Sequence, residues 1–302
     1  MKNKTVIAIV GPTAIGKTRT AISIAKHLNT EIISADSRQF YKEMCIGTAV
    51  PTAEELASTP HHFIQHKSIN EPYSVGDFER DAVKKIQELF TTHNTVVVVG
   101  GSGLYVDAIL YGLDEFPTIA ESVRKELNET LEKEGISTLQ DLLKEKDPNY
   151  YQRVDIHNPH RIIRALEVCI GTGKPYSEFL KREKKSRFFN HILIGLEADR
   201  KIIYDRINRR VDLMLEMGQL EEVQQLLPFK GLNALQTVGY RELFAYLDGN
   251  FSLEEAIEEI KKNTRRFAKR QLTWYRKNKE ICWIPFDIST DKLKQTIDQQ
   301  LT

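Results

Sequence analysis

Short apolar runs punctuate the chain at its start and again near its end. TVIAIV (5–10), EIISA (31–35) and TVVVVG (95–100) are rich in β-branched residues and barely interrupted by polar ones. HILIGL (191–196) repeats the pattern, and HHFIQH (61–66) and ICWIPF (281–286) do so more weakly. Apolar runs without alternation suit strands buried on both faces, as in a parallel sheet. Between them the period changes to that of a helix. KTRTAISIAKHL (17–28) follows the first run, and VGDFERDAVKKIQELF (75–90) precedes the third. In the latter, Ser74 is placed to cap the N-terminus, and Phe78, Val83, Ile86, Leu89 and Phe90 supply an apolar face. The alternation predicts a doubly wound α/β domain.

From about 116 to 190 the strand pattern vanishes. ESVRKELNETLEKEG, STLQDLLKEKDP and HRIIRALEVCIGTGKP are charged and helical in period, and strands resume afterwards at HILIGL. This predicts an α/β core of residues 1–115 and 191–302 with an all-helical insertion at 116–190. After 197 helices dominate, with breaks at Gly218, Pro228–Gly231 and Asp248–Asn250. No internal repeat or low-complexity segment is present.

Composition narrows the class. The chain has 302 residues, 41% hydrophobic and 28% charged, which is ordinary for a folded protein with real cores. No stretch approaches the roughly 20 apolar residues of a membrane helix. MKNKTVIAIV goes straight into a glycine loop instead of a signal-peptide cleavage site. The expected location is cytoplasmic, and nothing points beyond a monomer. Cys45, Cys169 and Cys282 lie far apart with no C-x-x-C pair, so neither zinc nor a disulfide framework is indicated. Net charge is only +1, but its distribution is uneven. KREKKSRFF (181–189) and RRFAKRQLTWYRK (265–277) are basic and SLEEAIEEI (252–260) is acidic, so opposite faces could carry opposite fields.

Candidate chemistry begins at GPTAIGKT (11–18), which fits the phosphate-binding pattern G-x-x-x-x-G-K-[ST] at every fixed position. Gly11, Pro12, Thr13, Ala14, Ile15, Gly16, Lys17 and Thr18 follow a strand and open a helix, where backbone N–H groups form an anion cradle. Lys17 adds a charge, and the Thr18 hydroxyl can ligate Mg²⁺. An NTPase also needs an acid at the end of a neighbouring strand. TVVVV ends instead in Gly100-Gly101-Ser102-Gly103. The acid that follows a strand is Asp36, in IISADSRQFY (32–41). Three roles stay open for it at this level: a metal holder, a base acting on substrate, or an Asx-turn cap.

The chain resembles the bacterial tRNA dimethylallyltransferases, also called tRNA isopentenyltransferases, over essentially its whole length. The resemblance rests on GPTAIGKT, ADSRQFY (35–41), IGTAVP (46–51), GGSGLY (100–105), NPHRIIRALEV (158–168), TGKPYS (172–177), RRVDLML (209–215) and QTVGYREL (236–243). It implies a P-loop NTPase-like core with a helical insertion for the tRNA anticodon loop. The implied reaction moves a dimethylallyl group from dimethylallyl diphosphate to the exocyclic N6 amine of the adenosine 3′ of the anticodon. The usual substrates are tRNAs reading codons that begin with U.

On this reading the loop cradles a leaving diphosphate with Mg²⁺ as cofactor, Arg210 touches that diphosphate, and Arg209 is exposed. Ser102 stands where many members carry threonine. Asp36 matches the family's general base, with Ser37, Arg38 and Gln39 contacting the adenosine and its neighbours. The target base is expected to flip into a channel between core and insertion. Further tRNA contacts are implied at Arg124, His160, Arg161, Arg164, Gly239, Tyr240 and Arg241, with Tyr240 a candidate stacking ring. Arg265, Arg266, Lys269, Arg270, Arg276 and Lys277 form a candidate RNA track, their neighbours Phe267, Trp274 and Tyr275 read as core. Eukaryotic relatives often append a zinc finger, which three cysteines exclude, and the chain ends soon after its last strand, as expected of a bacterial-type enzyme. Competing readings are a prenyltransferase acting on AMP, ADP or ATP, which leaves insertion and basic tracks unused, a P-loop small-molecule kinase, and an RNA-binding protein with a vestigial loop. The motif alone leaves open whether the loop also takes ATP or GTP.

Overall fold

The computed structural model describes residues 4–181 and 184–302. Arg182 and Glu183 of the 181–189 basic run, and Met1–Asn3, lie outside the described residues. Strand β1 (Thr5–Val10) leads through the glycine loop into α1 (Lys17–Leu28), then β2 (Ile32–Ser34), α2 (Ala53–Ser58), β3 (His61–His62), α3 (Val75–Leu89), β4 (Thr95–Val99) and α4 (Gly103–Tyr111). Helices α5 (Glu121–Glu134), α6 (Ile136–Lys146), α7 (Pro148–Tyr151) and α8 (Pro159–Thr172) follow without a strand. The sheet resumes with β5 (Asn190–Glu197). After it come α9 (Arg200–Glu216), α10 (Gln219–Gln225), α11 (Tyr240–Leu247), α12 (Leu253–Tyr275), β6 (Cys282–Pro285) and α13 (Thr290–Leu301).

All six strands are parallel, in the order β3-β2-β4-β1-β5-β6. Each lies in one of the anticipated runs, although HHFIQH supplies only two residues of strand. Successive residues of β1 serve opposite layers, as strand geometry requires. Val6, Ala8 and Val10 pack with Phe40, Phe78, Ile86 and Leu243. Ile7 and Ile9 pack with Ile24, Ala25, Ile203, Ile207 and Ile297. Ser74 caps α3 in a full capping box with Asp77. Helices not legible in the pattern include α2 and α7, which are too short, α4, which was hidden behind its glycines, and α13, which follows the last strand.

The sheet order decides where the chemistry sits. Because β2, β4 and β1 are neighbours and parallel, the loops leaving their carboxyl ends come side by side, where open α/β sheets place ligands. The Ala35 N–H donates to Val99 O at 2.7 Å and the Gly100 N–H to Ile9 O at 3.3 Å, extending the register into those loops.

Contacts divide the chain into one unit ending at Tyr111 and resuming at Ser186, and a second unit, Gly112–Lys185, several residues earlier at each end than the expected 116–190. The reason at the far end is Arg187, whose guanidinium donates to Ile109 O at 2.8 Å and to Glu79 at 2.7 Å, so the basic run is not all solvated. The helical unit has its own core of Leu127, Leu139, Leu143, Ile162, Ile163 and Leu166. Asp147, fully buried, accepts from the Tyr150 and Ser177 N–H groups at 2.9 and 2.7 Å and from Ser177 Oγ, which explains the serine of TGKPYS as an internal tie. The acidic and basic segments at 252–277 prove to be two ends of α12. Acids sit at its N-terminus and bases towards its C-terminus, the arrangement the helix dipole favours, instead of on opposite faces of the molecule.

One carboxylate outside every motif organises IGTAVP. Glu222 accepts from the N–H groups of Cys45, Ile46 and Gly47 at 2.8, 2.8 and 3.0 Å and from the Tyr240 hydroxyl at 2.6 Å. Removing it strands four donors, each costing about 1–3 kcal/mol if left unpaired, less whatever water recovers. Glu222→Ala is therefore expected to destabilise the chain by about 2–4 kcal/mol in urea denaturation; a loss under about 0.5 kcal/mol, the level of a neutral surface change, would refute the assignment.

Candidate active site

The glycine loop closes over the carboxyl end of β1 with Gly16 at φ 106° and Ala14 at φ 63°. Gly16 takes the left-handed region freely, whereas Ala14 is strained there, as residues at ligand-binding turns often are. Arg206 Nε holds the Ala14 carbonyl at 2.8 Å. The first amides of α1 have no carbonyl partner within the helix and are free to take an anion. Three loop residues contribute differently from what the motif implied. Pro12 has no N–H, and its carbonyl instead accepts from Lys17 Nζ at 2.8 Å. The Ile15 side chain is fully buried in the core, leaving only its amide for a ligand. The Thr13 N–H is already taken by Gln271 Oε1 at 2.8 Å.

Lys17 also donates to Gly11 O at 3.1 Å, so its ammonium rests on the loop's own carbonyls. Desolvation pulls its pKa down to about 8; Asp36 opposes that shift and Arg210 adds to it. Burial likewise lowers Arg210, again against the pull of Asp36. Arg210 reaches Thr13 Oγ1 at 3.4 Å, and Arg209 is exposed. Two desolvated cations and one carboxylate thus share a small space that an anionic ligand would neutralise.

Asp36 makes the Asx turn: its Oδ1 accepts from the Arg38 N–H at 3.1 Å. Among the described residues the turn engages Oδ1 and leaves Oδ2 without a hydrogen-bond partner, so the cap does not preclude a second role for the carboxylate. Ser102, whose carbonyl begins the hydrogen bonding of α4, sets its Oγ 3.3 Å from Ser37 Oγ. Asp36, Ser37, Arg38, Ser102, Thr13, Arg210, Gly239 and Arg241 all line one cavity of about 500 Å³. Its apolar wall includes Tyr105, Ile207, Val211, Met214 and Val238, and Trp274 and Phe267 are 43% and 38% exposed at its edge. Of the three aromatics read as core, only Tyr275 is buried.

Other expectations need correction. Tyr240 is 0% exposed and bonded to Glu222, so its ring supports the core and cannot stack on a base. Gln39 spends both ends of its amide on Ser34, Thr48 and Ala49 and braces the neighbouring loop. Arg38 lines the cavity, yet Nη1 is committed to the carbonyls of Asn233 and Ala234 at 3.0 and 2.9 Å.

In the helical unit, Asn158 caps α8, and His160 and Arg161 are exposed in its first turn. Cations at a helix N-terminus oppose the dipole until an anion joins them. Arg164 is paired with Glu167 at 3.1 Å and lies over Phe116, and Arg124 is 3.9 Å from the same carboxylate. Arg266, Lys269 and Arg270 on α12 and Lys277 just beyond it line a shallow basic depression with Trp274, whereas Arg265 is turned to Asn208 at 2.7 Å and the Tyr204 ring. Sequence reasoning missed Glu222 and Gln271. The only available sign for Gln271 was a polar residue on the helix stripe that also carries Ala268 and Tyr275.

No cluster of three or more His, Cys, Asp or Glu side chains suited to a metal occurs among the described residues. Nor is any helix there long and apolar enough to cross a membrane.

Comparison with known proteins returns a consistent set. A family model described as IPP transferase matches residues 39–278. A tRNA dimethylallyltransferase of Christiangramia forsetii is 59% identical over 295 residues, 98% of each chain. Among solved structures, a tRNA isopentenylpyrophosphate transferase of Bacillus halodurans superposes with TM-score 0.73 at 40% identity, covering 99% of this chain and 97% of the other. A eukaryotic dimethylallyltransferase described as acting on tRNA gives TM-score 0.79 at 26% identity, covering 98% of this chain and 77% of that one.

The depressed Lys17 pKa has a consequence for ligand binding. A bound polyanion favours the charged lysine, so the pKa rises on binding and protons are taken up. Affinity for a diphosphate ligand is expected to change little between about pH 7 and 8, above the ligand's own titration, and to fall towards tenfold per pH unit above about 8. Calorimetry in buffers of different ionisation enthalpy would register the proton uptake; binding at about pH 8.5 with none would show that Lys17 does not face the ligand.

Proposed function

The chain belongs to the IPP transferase family, and from that premise we propose that it is a tRNA dimethylallyltransferase, joining the dimethylallyl group of dimethylallyl diphosphate to N6 of the adenosine 3′ of the anticodon in tRNAs that read codons beginning with U. The observation that carries the reading is the cavity that brings Thr13 of the phosphate loop, Arg210 and Asp36 together, while β4 is followed by glycines and a serine instead of an acid.

The amine nitrogen attacks the allylic C1, its N–C1 bond forming as the C1–O bond to diphosphate breaks. Asp36 accepts the proton that the amine releases, a role worth typically 10²–10⁴-fold in rate. Negative charge grows on the departing oxygen. Lys17, Arg210, the α1 amides and the Ser102 hydroxyl are fixed donors for it, which costs no reorganisation during reaction. The apolar wall of Ile207, Val211 and Met214 suits the prenyl group and excludes water from an electrophile that water would otherwise consume. Mg²⁺ fits the site: the Thr18 hydroxyl opens α1 beside the loop, and a magnesium ion that keeps several waters and takes oxygens from a diphosphate needs no cluster of protein acids. When bound it would neutralise charge on the leaving group.

An adenosine within an anticodon loop must leave its stack to reach Asp36, and the opening edged by Trp274 and Phe267 offers surfaces for that. His160, Arg161, Arg164 and Arg124 in the helical unit, with Arg241 and the basic end of α12, supply cations for RNA phosphates. These features favour tRNA over a free adenine nucleotide, whose recognition would leave the helical unit and the basic end of α12 unused. The chain is further proposed to act as a monomer in the cytoplasm, where its RNA substrate is.

The test is incubation with Mg²⁺ and labelled dimethylallyl diphosphate, offering unmodified tRNA or AMP as acceptor. Label is expected in tRNA only, and Asp36→Ala is expected to lower the rate by about 10²–10⁴ while tRNA affinity stays within about threefold. Transfer to AMP but not tRNA would overturn the substrate, and equal loss of rate and binding in the variant would make Asp36 structural.

A further inference from the structure

Gln271 is 6% exposed in the basic C-terminal part of α12, and both ends of its amide are engaged. Oε1 accepts from the Thr13 N–H at 2.8 Å, in the phosphate loop after β1, and Nε2 donates to the Gly101 carbonyl at 2.9 Å, in the turn after β4. The orientation of the amide is not arbitrary, because an N–H needs an acceptor and a carbonyl needs a donor. A Cβ at Gly101 would collide with Nε2, so the turn carries glycine where this side chain passes. One turn further along, the Tyr275 hydroxyl reaches the Gly100 carbonyl at 3.4 Å. The two loops thus joined carry Lys17 and Arg210's partner Thr13 on one side and Ser102 on the other.

We propose that Gln271 is a positioning residue for the diphosphate site: by clasping Thr13 and Gly101 it sets the separation between the phosphate loop and the Ser102 turn, and so the geometry in which both grip the leaving group. The inference rests on the donor reading of that loop. It predicts a defect in the donor, not in RNA binding, although Gln271 lies on the helix that bears the basic depression. It also predicts a particular rescue. A protonated glutamic acid has the shape of glutamine, with O–H in place of N–H₂, and restores both bonds. An ionised one sets a carboxylate oxygen against the Gly101 carbonyl and a negative charge beside the incoming diphosphate.

The experiment compares wild type, Gln271→Met and Gln271→Glu in the full chain, reading KM for each substrate in prenyl transfer and, separately, calorimetric binding of inorganic diphosphate with Mg²⁺. In Gln271→Met, donor KM and diphosphate Kd are expected to rise together by roughly ten- to a hundredfold, the effect of two lost buried hydrogen bonds, with tRNA KM within about threefold. The activity of Gln271→Glu relative to wild type is expected to climb as pH falls from about 8 to about 6, as its carboxyl approaches protonation. Wild-type donor KM and diphosphate affinity in Gln271→Met, a rise of both substrate KM values by one factor, or a flat pH ratio for Gln271→Glu would each overturn it. If wild type binds diphosphate but transfers no prenyl group, the activity is wrong and the calorimetric comparison still decides the clasp.

Discussion

Lys17 and Arg210 are both desolvated beside a single carboxylate, Asp36, and the remaining architecture follows from holding that unbalanced charge in place. Like charges brought together away from water separate unless something fixes them. Here the loop carbonyls of Gly11 and Pro12 hold the lysine, Thr13 holds the arginine, and an Asx turn holds the aspartate. On the proposed reading, a polyanion bound at the loop would satisfy both cations at once. The parallel order β2-β4-β1 is what lets three loops from distant parts of the sequence reach the same point.

The same constraint separates this loop from that of a nucleotide hydrolase. There the strand beside the loop ends in an acid that organises the metal and a water is aimed at the terminal phosphate. Here β4 is followed by Gly100, Gly101 and Ser102, and the acid stands after β2, where on the proposed reading it would take a proton from an incoming amine. On the proposed reading, phosphate binding is common to both. What differs is which bond the surrounding groups are placed to break.

Much of this was legible in the sequence, because it rests on local rules. Buried strands leave unbroken β-branched runs, a phosphate loop needs glycine and lysine at fixed spacing, and Ser74 announces a helix start. What was not legible depends on contacts distant in sequence. Glu222 reads as one more acid in QLEEVQQ, yet it gathers three amides from residues 45–47. Tyr240 reads as a stacking ring until its hydroxyl is found on that carboxylate. Gln271 lies 258 residues from Thr13, and only the fold reveals the pairing. Polar residues at positions that periodicity assigns to the core were the common signal in the last case, and no local signal existed for the first.

The most direct test of the central claim is a calorimetric competition in the presence of Mg²⁺, titrating dimethylallyl diphosphate and then ATP into the protein while monitoring phosphate release. The account predicts that dimethylallyl diphosphate binds and is displaced by inorganic diphosphate, and that ATP, whether or not it binds, is not hydrolysed. Steady ATP turnover, with no binding of dimethylallyl diphosphate, would contradict it.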